Sequence, residues 1–174
     1  PGAMLWDNAS LRRVSPQEFD NVEAGDCSAD VVLNNPVATD NCEIVSFVND
    51  YNNTADASDN YPVGQTVVTY TAIDQEGNQS VCSIVVEVLD TELPSITCPD
   101  DVTLSNDNGD CGAVFEYEIL SNDNCSDVTP VQTSGLASGA FFPLGTTVTS
   151  YEVTDEAGNT ISCSFSVTVE DTEA

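Results

Sequence analysis

Ten residues, Tyr61-Pro62-Val63-Gly64-Gln65-Thr66-Val67-Val68-Thr69-Tyr70, return 81 positions later as Phe142-Pro143-Leu144-Gly145-Thr146-Thr147-Val148-Thr149-Ser150-Tyr151. At the same offset Asp74, Gly77, Asn78 and Cys82 map onto Asp155, Gly158, Asn159 and Cys163, and Asp90-Thr91-Glu92 maps onto Asp171-Thr172-Glu173. Upstream, Asp40-Asn41-Cys42 matches Asp123-Asn124-Cys125 and Gly25-Asp26-Cys27 matches Gly109-Asp110-Cys111, with offsets of 83 and 84. A repeat this long is a whole domain, and drift of two or three residues is what loop-length change within a shared fold produces. The 174 residues therefore read as two small domains, each large enough to bury a core.

Within each copy the local signal is that of short strands. Ile161, Cys163, Phe165, Val167 and Val169 alternate with Ser162, Ser164, Ser166 and Thr168, which turns one set inward and the polar set outward. Cys82, Ile84, Val86 and Val88 repeat the pattern, and Ala113, Phe115, Tyr117 and Ile119 predict an earlier strand of the second copy. Helical periodicity is absent. Strands at this spacing, punctuated by Gly, Pro, Asn and Asp, predict an all-β fold of two tandem sandwiches. Asp74 to Asn78 and Asp155 to Asn159 read as hairpin turns before the last strands, with glycine supplying positive φ.

Charge narrows the function classes. Acidic residues number 30 against 2 basic ones, with no His, and the two cations, Arg12 and Arg13, are neighbours. Nucleic-acid phosphates and anionic lipid surfaces are bound through Lys and Arg, so neither is an expected partner. What such a chain attracts is cations, and loop Asp and Asn offer the hard oxygens that calcium takes. Solubility, or adaptation to salty water, is the plainer explanation. No apolar run approaches the roughly 20 residues of a membrane span, and no basic-then-apolar signal pattern opens the chain. Pro1-Gly2-Ala3-Met4 reads as a cleavage scar with a start Met, and residues 1–19 as an atypical leader. The domains are then expected at 20–89 and 96–174, joined by a linker at 90–95. Seven cysteines without a C-x-x-C pair or His do not make a zinc site; disulfides in an oxidising, extracellular setting are the expectation.

The second copy resembles the hyalin repeat, or HYR, family along its whole length: Ile96-Thr97-Cys98-Pro99, Gly109-Asp110-Cys111, Asp123-Asn124-Cys125, Phe142 to Thr147, Asp155 to Asn159, Cys163 and Asp171-Thr172-Glu173, in that order. The resemblance implies an immunoglobulin-like β-sandwich used in tandem arrays of extracellular, adhesion-related proteins, including large bacterial surface adhesins. In the first copy Val14 aligns with Cys98, so the opening strand of that copy is expected to be either missing or improvised. Four cysteines in one copy allow three pairings, which sequence does not separate. In such sandwiches the first strand can run parallel beside the last, which would join Cys98 to Cys163 and leave Cys111 for Cys125. The same scheme joins Cys27 to Cys42 and leaves Cys82 over.

In an immunoglobulin-like sandwich the loop after the second strand and the loop before the last strand share the end at which the chain enters. That end would gather Asp123 and Asn124 with Asp155, Glu156 and Asn159, together with linker residues Asp90 and Glu92, in the manner by which cadherins rigidify tandem domains. Calcium takes six to eight oxygens, and this set is the candidate site. In the first copy Asp40, Asn41, Asp74 and Asn78 are the counterparts. Against it stands the ordinary role of Asp and Asn as turn residues.

Without His or Lys there is no Ser-His, Cys-His or Ser-Lys nucleophile, and a sandwich of this size leaves little room for a glycosidase cleft, so no enzyme is expected. The leading expectation is a monomeric, calcium-stiffened spacer whose partners are neighbouring repeats. A surface-glycan or protein ligand is the rival, with Tyr51 and Phe141 as candidate platforms; Phe142 is expected in the core by analogy with Tyr61. Asn52, Asn78 and Asn124 each head an N-glycosylation acceptor pattern, and the acidic stretch from Asn49 to Asn60 reads as a solvated loop.

Overall fold

The computed structural model describes residues 10–12, 17–21 and 24–173, and among them there is no helix. The chain divides into two compact units, Pro1–Asp90 and Thr91–Ala174. The first holds β1 (Ser10–Arg12), β2 (Gln17–Asn21), β3 (Ser28–Val31), β4 (Val37–Thr39), β5 (Ile44–Asn49), β6 (Asp59–Pro62), β7 (Gly64–Asp74) and β8 (Gln79–Leu89). The second holds β9 (Ser95–Thr97), β10 (Val102–Ser105), β11 (Gly112–Val114), β12 (Leu120–Asn122), β13 (Val131–Ser134), β14 (Phe141–Pro143), β15 (Gly145–Thr154) and β16 (Thr160–Glu170).

Both units have the same plan. A four-stranded sheet runs β2-β8-β7-β5 in the first and β10-β16-β15-β13 in the second, and each is accompanied by two short ribbons, β1-β4 with β3-β6 and β9-β12 with β11-β14. The outer strands β2 and β10 pair parallel with β8 and β16, and the other pairs are antiparallel. The opening of the first copy, expected to be missing or improvised, is present: β1 pairs with β4 as β9 does with β12, and in β2 Gln17 lies opposite Val85 and Asn21 opposite Leu89. Backbone pairing along an edge needs only free N–H and C=O groups, so the altered composition ahead of Asp20 did not prevent it.

Alternation decides what is buried. Phe165, Val167 and Val169 of β16 face a core completed by Ala113 and Phe142, with Cys98, Phe115, Tyr117 and Tyr151 packed against it. In the first unit Ile84, Val86 and Val88 meet Val68, Tyr70 and Tyr61. Tyr61 and Phe142, at equivalent places, are both fully buried. The strand predicted over Ala113–Ile119 is shorter than its pattern, because β11 stops at Val114. Beyond it the amide of Tyr117 donates to Ser138 Oγ, which in turn donates to the Tyr117 carbonyl, so a side chain takes over the work of a ladder partner. The alternating apolar side chains still pack inward. The acidic stretch from Asn49 to Asn60 is ordered from within: buried Asn49 accepts from the amides of Tyr51 and Asn52 and donates to the Thr54 carbonyl.

Each unit has a leading end, where its first strand enters and its longest hairpin turns, and a trailing end, where its last strand leaves. In the second unit Ser95 pairs with Asn122 at the leading end, and Ser105 pairs with Glu170 at the trailing end.

Candidate metal centre

At the turn from β15 to β16, the Asp155 amide donates to the Asn159 carbonyl at 3.0 Å, and Gly158 takes φ +94°, a conformation open to glycine without a Cβ penalty. The carboxylate of Asp155 accepts the Asn159 amide at Oδ1 and the Asn159 carboxamide at Oδ2, both at 2.7 Å. Asn159, expected as a ligand, thus contributes by holding Asp155 in place. The first unit repeats the turn: Asp74 Oδ1 accepts from the amides of Glu76 and Asn78, and Oδ2 from the Asn78 carboxamide. These bonds, first those from Asn78, hold the Asp74 carboxyl below the ordinary carboxylate range.

Asp123 follows β12 and is half-buried. Its Oδ2 accepts three hydrogen bonds, from the amides of Cys125 and Ser126 and from the Ser126 hydroxyl, at 2.9 to 3.0 Å. Its Oδ1 is buried and has no hydrogen-bond partner. Turn chemistry therefore accounts for one oxygen of this carboxylate and leaves the other orphaned, an arrangement that costs free energy of about 1–3 kcal/mol or more for a charged group. Ser126 locks the carboxylate, and the Asp-x-x-Ser spacing is the signal of that role in the sequence.

Asp90, buried, stands directly after β8, and ligand oxygens of Asp90, Asp123 and Asp155 all lie within 4.8 Å of one another. Two oxygens about 2.3–2.6 Å from a shared calcium ion are at most about 4.6–5.2 Å apart, so the three fit one coordination shell. Of the other expected ligands, Glu92 is half-buried and outside this group, and the carboxamide nitrogen of Asn124 lies 2.9 Å from Cys125 Sγ. In the first unit Asp40 Oδ2 accepts from the Cys42 amide, and no equivalent group of three carboxylates forms among the described residues. The register of β1 on β4 sets Ser10 level with Ser95, so the counterpart of Asp90 falls in residues 1–9, outside the described part.

Cys98 and Cys163 form a disulfide with Cα atoms 5.9 Å apart, closing a loop of 65 residues. Such closure contributes about 4 kcal/mol by restricting the unfolded chain. Cys42 and Cys111 are free and exposed, so the expected Cys27–Cys42 and Cys111–Cys125 bonds are not formed. The reason is distance. Cys111 accepts at its carbonyl from the Leu144 amide, at the trailing end, whereas Cys125 donates to Asp123 at the leading end. Cys27 accepts from Val63 at one end of β7 while Cys42 sits by Asp40, Asp74 and Glu76 at the other. Eleven-residue strands separate the ends by about 35 Å, against the 4.4–6.8 Å between Cα atoms that a disulfide bridges. Of the aromatic candidates, Tyr51 stacks on Tyr61 at 4.3 Å and donates to the Asn60 carbonyl, while Phe141 is 47% exposed.

Comparison with known proteins finds the HYR domain twice, at residues 12–88 and 89–169, so that Asp90, Asp123 and Asp155 all fall in the second match. Hyalin of Strongylocentrotus purpuratus is 35% identical over 151 residues, 85% of this chain and 12% of that protein. Hyalin of Lytechinus variegatus is 35% identical over 157 residues, 87% of this chain and 29% of that protein. The chain thus spans under a third of either. Among solved structures, a protocadherin gammaB7 EC3-6 cis-dimer matches 94% of this chain and 51% of its own at 15% identity and a TM-score of 0.42. The fibronectin(III)-like modules of Clostridium thermocellum CbhA match 94% and 97% at 15% identity and a TM-score of 0.34.

Proposed function

The chain belongs to the HYR domain family, of which it carries two tandem copies, and on that premise we propose that it is part of an extracellular adhesive repeat array whose second copy binds calcium through Asp90, Asp123 and Asp155. The observation that carries the calcium reading is the orphaned Oδ1 of Asp123 within a group of three carboxylates. A hard divalent cation supplies the missing partner of that oxygen and offsets the repulsion among the three charges. Two repeats in one chain support a spacer whose immediate partners are further repeats, and the even-handed anionic surface supports an extracellular, salt-bathed setting. Among the described residues no helix is long and apolar enough to cross a membrane. Without His or Lys the sequence offers no Ser-His, Cys-His or Ser-Lys nucleophile, which supports an adhesive rather than a catalytic reading.

Titrating calcium into chelator-treated protein, by calorimetry and by thermal melting, tests it. Binding heat and a raised melting temperature at millimolar calcium or below are expected, with both lost in Asp123→Asn. No heat and no shift at millimolar calcium would discard the calcium reading and leave a plain adhesive repeat.

A further inference from the structure

We propose that Asn108-Gly109 is a self-modifying site: Asn108 converts to aspartate and isoaspartate through a cyclic imide, and the carboxylate of Glu173 is the latch that sets the rate. Asn108-Gly109 is the one Asn-Gly pair in the 174 residues. It forms the middle of the turn from Asp107 to Asp110, which the Asp110 amide closes by donating to the Asp107 carbonyl at 2.9 Å. Gly109 takes φ +81°, as a type II turn requires at its third position. Asn108 is exposed, and glycine sets no Cβ beside the nitrogen that must reach its carboxamide. Elsewhere the carboxamides of Asn49, Asn52, Asn78 and Asn159 are spent on hydrogen bonds within their own loops. The first copy shows that the turn does not need an asparagine. Gly25, the counterpart of Gly109, takes φ +88° in a turn where Ala24 stands in place of Asn108.

The attacking group of this reaction is the Gly109 amide, and it is engaged. It donates to both carboxylate oxygens of Glu173, at 3.1 and 3.2 Å. Glu173 is brought there by Thr172, whose amide donates to Asn106 Oδ1 at 3.0 Å. Asn106 in turn donates its carboxamide to the Asp110 carbonyl at 3.0 Å, which ties the same turn together. Ring closure swings the Gly109 nitrogen toward Asn108 Cγ and out of the bond to Glu173, so that bond opens first. The nitrogen then forms its bond to Cγ and gives its proton to solvent, while the Cγ–Nδ2 bond breaks and ammonia leaves. Water adds to one of the two imide carbonyls. Opening at the side-chain carbon leaves aspartate, and opening at the main-chain carbon leaves isoaspartate, with the chain routed through the side chain. Either product sets a new carboxylate beside Asp107, Asp110 and Glu173, and their mutual repulsion loosens the latch. All of these residues lie in the second unit, and the chemistry stands whether or not calcium binds.

Ageing the intact protein at neutral pH and physiological temperature tests it, followed by reduction, chymotryptic mass mapping and labelling with protein isoaspartyl methyltransferase. The Asn108 peptide should gain the mass of an NH-to-O exchange and accept methyl groups ahead of every other asparagine peptide. In Glu173→Ala the rate should rise about three- to tenfold, the equivalent of one exposed hydrogen bond. Glu173→Gln, whose carbonyl still accepts, should raise it less. Asn108→Ala, which copies Ala24, supplies the unlabelled blank. An Asn108 peptide that ages no faster than those of Asn52 and Asn78 overturns the site. A Glu173→Ala rate equal to or below that of the parent overturns the latch.

Discussion

Two side-chain oxygens among the described residues are buried without a partner, Asp123 Oδ1 and Thr149 Oγ1, and they differ in kind. The first belongs to a charged group beside two others, where a cation can serve it. The second is a neutral hydroxyl in a sheet, fully buried, at the place where the first copy has the fully buried Val68. Thr149→Val therefore removes an unmet hydrogen bond while keeping the shape, and should stabilise the protein by about 1 kcal/mol in denaturant unfolding. Lower stability would mean that the hydroxyl has a partner after all. Gly135 shows the opposite constraint at the same spot. It takes φ +85°, and a Cβ there would lie 2.4 Å from Thr149 Oγ1 and 2.6 Å from Thr149 Cα. Gly135→Ala should cost about 2–3 kcal/mol by the same measurement, since both strain and a backbone clash arise.

At the scale of strands and turns, the parts legible in the sequence were those fixed by local chemistry. The period-2 run from Ile161 to Val169 put Phe165, Val167 and Val169 in the core, because alternation on a pleated strand is a local property. The Asp-x-x-Gly-Asn turns were legible for the same reason. Of the expected disulfides Cys98–Cys163 is formed, whereas Cys27–Cys42 and Cys111–Cys125 are not, since pairing depends on which end of a sandwich a loop reaches, and the 14 residues from Cys111 to Cys125 run to the other end rather than turning back. Of the metal candidates, Asp90, Asp123 and Asp155 come together, while Asn159 serves as a support, a distinction that only hydrogen-bond direction reveals. The hairpin of the first unit carries a pH prediction. Donors from Asn78 hold the Asp74 carboxyl below its usual value of 3.8, so the folded group gives up its proton more readily than the unfolded one. The stability this contributes is present above that value and is lost as pH falls through the folded pKa. Asn78→Ala removes the largest cause, so acid unfolding followed by circular dichroism should begin at higher pH in the variant. An unchanged acid midpoint would show that the backbone amides alone hold the carboxylate.

For the whole molecule the governing quantity is a formal net charge of −28 on 174 residues. Self-repulsion on that scale destabilises the folded chain, and any salt relieves it by screening within about 10 Å at 0.1 M. Calcium would relieve it too as a diffuse counterion, so stabilisation by calcium alone does not identify a site. The two effects separate at constant ionic strength. Screening saturates and depends on no single residue, whereas binding to the folded state continues as RT ln(1 + [Ca]/Kd), about 2.7 kcal/mol at one hundred times Kd. Replacing part of the sodium chloride by calcium chloride at fixed ionic strength should therefore raise the melting temperature further, and Asp123→Asn should keep the sodium response while losing the calcium increment. The variant changes the net charge by one in 28, too little to alter the diffuse term, yet it turns a carboxylate that lacks one partner into an amide. If Asp123→Asn kept the full calcium increment, the three carboxylates would be a solvated feature of an anionic surface rather than a centre.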